Sequence, residues 1–253
     1  MHIEDFSLKD FIALDAGAIA ERVAAGDAYL VRGAASPEAV MALRAAVCDL
    51  AARNSVGWQK VDDDCPNYHR VIDEHPQSYV MQKCQRSAFH LWRPESRGIA
   101  EIAIEAYRLK ARLAGRDDLD FMYTPPSSGA YCQVGVNHYP RGGGYMRAHT
   151  DPIQSYQEVH TIFSGSKRGE DYETGGLFLV DGDAKVAIDD LWSAGDMLCF
   201  DAGVIVHGVD EVDADRPLDW SLTAGRYTFS PVAVQAKPGT APVGSTQRTV
   251  TAS

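Results

Sequence analysis

The feature that most constrains the fold is a change of texture near Gly115. Before it, apolar residues recur at helical spacing; after it they come in short extended runs separated by Gly, Asp and Pro. The helical part is best defined at AVMALRAAVCDLAAR, where Ser36, Pro37 and Glu38 supply a cap residue, a first-turn proline and an acid. Helical spacing returns in IAEIAIEAYRLKARLAG, which stops at Gly115. A short strand, AYLVRG, precedes the first long helix and ends at Gly33. The later extended runs are AYCQVGVNHY, EVHTIFSG, GLFLVDG, KVAID, DMLCFDAGVIVHGV and RYTFSPVAV. Helices followed by many short strands predict an α+β chain, with a β-sandwich or jelly roll braced by N-terminal helices.

At 253 residues the chain is long enough for one such domain with a substantial core. The expected division is a single domain over 1–234, helix-rich over 1–128 and jelly-roll over 129–234. A flexible tail is expected over 235–253, which is rich in Pro, Gly, Ser and Thr and poor in large apolar groups. Between Val56 and Arg97 aromatic and polar residues mix without a steady period, as in a long loop that could cover a pocket.

Hydrophobic residues make up 45% of the chain and charged residues 23%, the balance of an ordinary folded protein. Lys and Arg number 24 against 35 Asp and Glu, a formal charge of -11, and no stretch concentrates positive charge. Such a surface repels a phosphate backbone, so the expected partner is a small molecule and not a nucleic acid. The five cysteines are odd in number, widely spaced and lack a Cys-x-x-Cys pair, which fits a reducing cytoplasm. The N-terminus lacks a basic start with an apolar run, and no stretch reaches about 18 apolar residues, so neither export nor membrane insertion is expected. The oligomeric state does not follow from these features.

The chemistry begins at His149-Thr150-Asp151. In an extended segment the imidazole and carboxylate project from one face, where both can reach one metal ion. A third ligand is available in His207, at the end of a strongly β run. Two imidazoles and one carboxylate on one side of an octahedral ion leave positions open, which suits Fe(II) binding a co-substrate and dioxygen. A zinc site with the same donors is the competing reading, although no His-Glu-x-x-His segment accompanies it.

Around these ligands the sequence resembles the Fe(II)/2-oxoglutarate dioxygenase superfamily. The resemblance rests on Asn137-His138-Tyr139, the glycine turn Gly142-Gly143-Gly144, His149-Thr150-Asp151, and His207-Gly208 followed nineteen positions on by Arg226-Tyr227. It covers Gly129 to Ser230, and DAYLVRGAASPE is similar to the opening of phytanoyl-type hydroxylases. It implies a double-stranded β-helix, the jelly roll of that superfamily, using iron, 2-oxoglutarate and O2. Arg226 would pair with the distal carboxylate of 2-oxoglutarate through a bidentate fork, with Asn137 and Tyr139 beside it. Arg216 is a rival, but it lies in the charged turn DADRPLD.

Two departures narrow the outcome. Compared with nucleic-acid alkyl-base demethylases, the glycine turn is one residue longer and Ser230-Pro231-Val232 lacks their further arginine, which argues against base repair. Compared with the related halogenases, Asp151 stands where they carry Gly or Ala, which favours hydroxylation or another oxidation. The expected substrate is a small polar metabolite, a free amino acid or related acid. Arg147, two residues before His149, and His69 and Arg70 in the irregular segment are its candidate anchors. A peptide or protein hydroxylase, or a jelly-roll metal protein without redox activity, are the alternatives.

Overall fold

The computed structural model describes residues 1–53, 67–71, 80–124, 130–151 and 159–235. Among these residues the strands are β1 (Ile3–Ser7), β2 (Ala28–Arg32), β3 (Asn67–Val71), β4 (Gln82–His90), β5 (Ala130–Tyr139), β6 (Gly144–His149), β7 (His160–Ser164), β8 (Gly176–Asp181), β9 (Ala184–Ala187), β10 (Met197–Phe200), β11 (His207–Val212) and β12 (Arg226–Gln235). The helices are α1 (Leu8–Ile12), α2 (Ala16–Ala24), α3 (Pro37–Arg53) and α4 (Ile104–Leu113). None of them is long and apolar enough to cross a membrane.

Hydrogen bonding connects the strands in the order β1-β2-β10-β7-β12-β5-β4-β6-β11-β8-β9, with β3 beside β4. The path bends at β4. Gln85 to His90 pair with β5, while Gln82 and Lys83 pair with Met146 and Tyr145 of β6. One sheet therefore runs from β1 to β4, and a second, smaller one comprises β6, β11, β8 and β9. All neighbouring pairs are antiparallel except β1 with β2.

Strand alternation divides the apolar residues between two cores. Tyr29, Val31, Met197, Cys199, Phe163, Tyr227 and Phe229 belong to the core that includes Val40, Leu43 and Val47 of α3 and Tyr107 of α4. Their neighbours Ala28, Leu30, Leu198, Phe200 and Ile162 point between the sheets and meet Leu177, Leu179 and Val209 of the smaller sheet. The larger sheet is thus buried on both faces, which is why strands such as MLCF are continuously apolar.

Among the described residues of 1–128 there are four strands beside the bracing helices. Two expectations are corrected. The irregular stretch after Val56 contributes β4, a central strand, and the backbone of β3; its other residues 54–66 and 72–79 lie outside the described ones. The run toward Gly115 starts as a 3-10 helix over Pro94–Ala103 and becomes α-helical only at Ile104. Gly98 within that first half weakens α-helix formation. By contrast α3 begins as read, with the Ala39 amide donating to Ser36 Oγ at 3.1 Å. β12 extends through Gln235, and the expected tail beyond it lies outside the described residues.

Two buried histidines give the fold an acid sensitivity. His138 makes a 2.7 Å hydrogen bond from Nε2 to the Ala224 carbonyl and lies against the Tyr227 ring. Burial pushes His138 and His90 down to about 4. In the unfolded chain such rings protonate near pH 6.5, so unfolding takes up protons between about pH 6.5 and pH 4. Stability is complete above that window and is lost as pH falls through it, by up to about 1.4 kcal/mol per pH unit for each ring. Urea unfolding at about pH 7.5 and about pH 5 should show the midpoint falling, and an unchanged midpoint would show the rings charged in the folded state.

Candidate active site

The metal candidates meet where β6 and β11 pair. His149 and His207 are direct cross-strand partners, with ring centroids 4.4 Å apart. Asp151 follows β6 by two residues and is fixed by its amide donating to the Ala202 carbonyl at 2.7 Å. Its Oδ1 is 3.3 Å from His149 Nε2. One donor atom from each of the three residues lies within 4.8 Å of the others. Both rings are oriented from behind: His149 Nδ1 donates to the Arg147 carbonyl at 2.8 Å and His207 Nδ1 to the Ile205 carbonyl at 3.0 Å. In the neutral rings this leaves each Nε2 as the lone-pair nitrogen facing the cluster. Burial, followed by the neighbouring His149, lowers the pKa of His207 and favours the neutral form that a metal requires.

Gly208 is required by this pairing. A Cβ there would sit 2.7 Å from Phe178 Cζ and 2.8 Å from the Met146 carbonyl oxygen. The close approach coincides with a register shift: His207 opposes His149 but Val209 opposes Met146, so Arg147 and Ala148 together face Gly208. The extra residue interrupts the alternation that would have put Arg147 on the face of His149. Arg147 is exposed and lays its guanidinium 4.6 Å from the Tyr145 ring centroid, beside a surface hollow lined also by Lys185, Asp210 and Glu211.

Deeper between the sheets, Arg226 of β12 opposes Tyr139 of β5, and its guanidinium carbon is 5.4 Å from the Tyr139 ring centroid. Thr228 opposes Asn137 two residues along, so Arg226, Tyr139 and Asn137 share the inner face. Arg226 is only 1% exposed. It does not present an open fork. Asp189 takes two of its nitrogens, with Nε to Oδ2 at 2.5 Å and Nη2 to Oδ1 at 3.0 Å. That carboxylate also accepts from Tyr172 Oη and Trp192 Nε1, both at 2.6 Å, and from the Leu177 amide at 3.0 Å. Asp189 keeps the arginine charged despite its burial. Nη1 remains buried without a hydrogen-bond partner, as does Asn137 Oδ1.

Several residues of this centre escaped the sequence reading. Asp189 closes the extended run KVAID; the signal available was that a buried Arg226 needs a countercharge. His160 is stacked edge-on against Phe200, which in turn packs against His207, with centroids 5.6 and 5.2 Å apart. His69 and Arg70 lie on β3 opposite Arg86 and Gln85, and their side chains are outside the described residues. Arg216 is half-exposed near Asp213 and is not in the pocket.

No family model matches the sequence, and no curated protein does. Solved structures do match. A prolyl-4-hydroxylase from Pseudomonas putida superposes with a TM-score of 0.51 at 15% identity, covering 88% of this chain and 100% of that one. The Arabidopsis thaliana dioxygenase for auxin oxidation, in binary complex with 2-oxoglutarate, gives 0.51 at 16% identity over 90% and 91% of the two chains. JOX2 in complex with 2-oxoglutarate, iron and JA gives 0.52 at 13% identity over 93% and 75%. The fold is that of the iron- and 2-oxoglutarate-dependent oxygenases. The paired sheets of this oxygenase fold are the expected double-stranded β-helix, with the His149, Asp151 and His207 cluster at one end. The narrower likeness to phytanoyl-type hydroxylases finds no support among these structures.

Proposed function

We propose that the chain is an Fe(II)- and 2-oxoglutarate-dependent oxygenase that hydroxylates an unactivated C–H bond of a small polar metabolite. The observation that carries this reading is the cluster of two backbone-oriented imidazoles and one carboxylate, with donor atoms within 4.8 Å of one another. The three residues would hold iron from one side. The unpartnered Arg226 Nη1 fits the distal carboxylate of 2-oxoglutarate, with the Tyr139 ring alongside. Asn137 can add its amide, whose oxygen and nitrogen exchange by a flip. When bound, iron and 2-oxoglutarate supply the oxidant, as dioxygen drives decarboxylation of the co-substrate to succinate. The chain's own residues orient the co-substrate and exclude water; Tyr139, Met146 and Phe200 line the space between the sheets.

A free amino acid or related acid remains within the proposed substrate class, but Arg147 gives it no support, because that side chain is exposed on the Tyr145 ring. The peptide-hydroxylase reading is supported by the solved structures alone. Two are prolyl hydroxylases, one of them, from Trichoplax adhaerens, in complex with a hypoxia inducible factor peptide fragment.

The test is anaerobic addition of Fe(II) and then 2-oxoglutarate. A visible charge-transfer band that requires both is expected, and Arg226→Met should weaken the apparent affinity for 2-oxoglutarate by at least about tenfold, the equivalent of one charge-assisted hydrogen bond. A colourless protein that binds zinc in preference would overturn the oxygenase reading in favour of a non-redox metal protein.

A further inference from the structure

A second group of buried polar atoms lies apart from the iron ligands and from Arg226. His90, the last residue of β4, is 2% exposed, and neither of its ring nitrogens has a hydrogen-bond partner. Directly opposite it on β5 is Gln133, 8% exposed, with Oε1 unpartnered. The buried indole Nε1 of Trp92 is unpartnered as well, and its ring lies 6.3 Å from that of His90. The Tyr131 ring is 5.9 Å from that of His90. Buried polar atoms in folded proteins are almost always satisfied, so several orphans in one place mark a site built for something else.

The cluster faces the same interior as the metal ligands. Phe89 and Leu91 belong to the helix-covered core, and so do Cys132 and Val134, so His90 and Gln133 point the other way, between the sheets. Gln133 pairs with Val232, Thr161 Oγ1 reaches the neighbouring Pro231 carbonyl at 3.5 Å, and His160 pairs with Phe200, which packs on His207. One row across the larger sheet therefore leads from His90 to the iron ligands. From β4 to β7 it crosses three strand spacings, about 14 Å.

The available atoms define what this end can hold. Burial pushes His90 down to about 4, so near neutral pH the ring offers one donor and one acceptor. Trp92 adds a donor and Gln133 an acceptor. A carboxylate or an ammonium would satisfy only half of such a set, whereas a carboxamide carries both donors and acceptors. The flanking aromatic rings suit a flat group. Arg93, whose guanidinium carbon sits 5.8 Å from the Trp92 ring centroid, is the charged group that acts on His90. We propose that His90, Gln133 and Trp92 form the recognition end of the substrate pocket and select a small molecule whose uncharged, planar amide end sits there while its body spans the roughly 14 Å toward the iron ligands. This rests on the oxygenase reading of the site, and it makes the substrate's polar end neutral where the sequence suggested an acid.

The experiment compares benzamide with benzoate as probes on the Fe(II)- and 2-oxoglutarate-loaded protein under anaerobic conditions, by ligand-observed NMR. Saturable binding of benzamide is expected, with benzoate at least about tenfold weaker, the usual scale for leaving buried polar groups unpaired. His90→Phe and Gln133→Met should each weaken benzamide at least about tenfold while the charge-transfer band still forms; Trp92→Phe, which keeps the ring and removes the N–H, should weaken it less. Equal binding of the two probes, preference for benzoate, no binding of benzamide, or benzamide binding that survives His90→Phe and Gln133→Met would each overturn the proposal. Should the wild-type protein give no charge-transfer band, the oxygenase reading fails on that result, and the probe comparison still decides the chemistry of the His90 cluster.

Discussion

His207→Ala is expected to remove both iron binding and 2-oxoglutarate turnover while leaving the chain folded. His207 is 5% exposed and is aimed at the cluster by the Ile205 carbonyl. Without it, only His149 and Asp151 remain, 3.3 Å apart. Two donors two residues apart hold a divalent ion weakly. The measurements are iron stoichiometry after desalting, the charge-transfer band and succinate formation. All three should fall to background, with the circular dichroism spectrum unchanged. Retention of stoichiometric iron would mean that the metal sits elsewhere, and the assignment of this cluster would be abandoned.

Asp189→Ala should be the most destabilising single change at the site. It leaves Arg226, 1% exposed, as a buried charge without its counterion, and it also strands the Tyr172 hydroxyl and the Trp192 N–H. Removing one partner of a buried pair costs about 3–5 kcal/mol. At roughly 2–4 °C per kcal/mol for a domain near this size, the melting temperature should fall by about 10 °C. Asp189→Asn keeps the shape and one acceptor and should fall between the variant and the wild type. The Michaelis constant for 2-oxoglutarate should rise in both, because the guanidinium that would bind it is no longer held against Tyr139. Differential scanning calorimetry and succinate kinetics check the two effects. An unchanged melting temperature would show that Arg226 is stabilised by something other than this carboxylate.

Much of the architecture was readable because the responsible forces are local. The run AYCQVGVNHY coincides with β5, the capped helix after Ser36 is α3, and His149 and Asp151 follow a glycine turn into β6. What could not be read depended on distant partners. β4 carries Gln82, Lys83, Gln85, Arg86 and Ser87 among its apolar residues, and its place between other strands is set by distant pairings that a local pattern does not show. β1 is a short strand paired in parallel with β2, a contact that no local pattern announces. The bulge opposite Gly208 reverses the side on which Arg147 emerges, and period-two reasoning has no means of anticipating an inserted residue. Asp189 and Arg226 are 37 residues apart, and only the fold makes them a pair.

The bend of β4 has a consequence for selectivity. Its first residues are bonded to the strand that ends in His149, and its last residue is His90, opposite Gln133. One strand thus acts as a ruler between the level of the proposed metal site and the level of the proposed recognition end. Sliding its pairing with β6 by two residues while keeping that with β5 would preserve which face each side chain occupies and shift the level of His149 against that of His90 by about 7 Å. Under the proposed function, such a slip would change which carbon of the substrate is presented for oxidation without touching any of the proposed iron ligands.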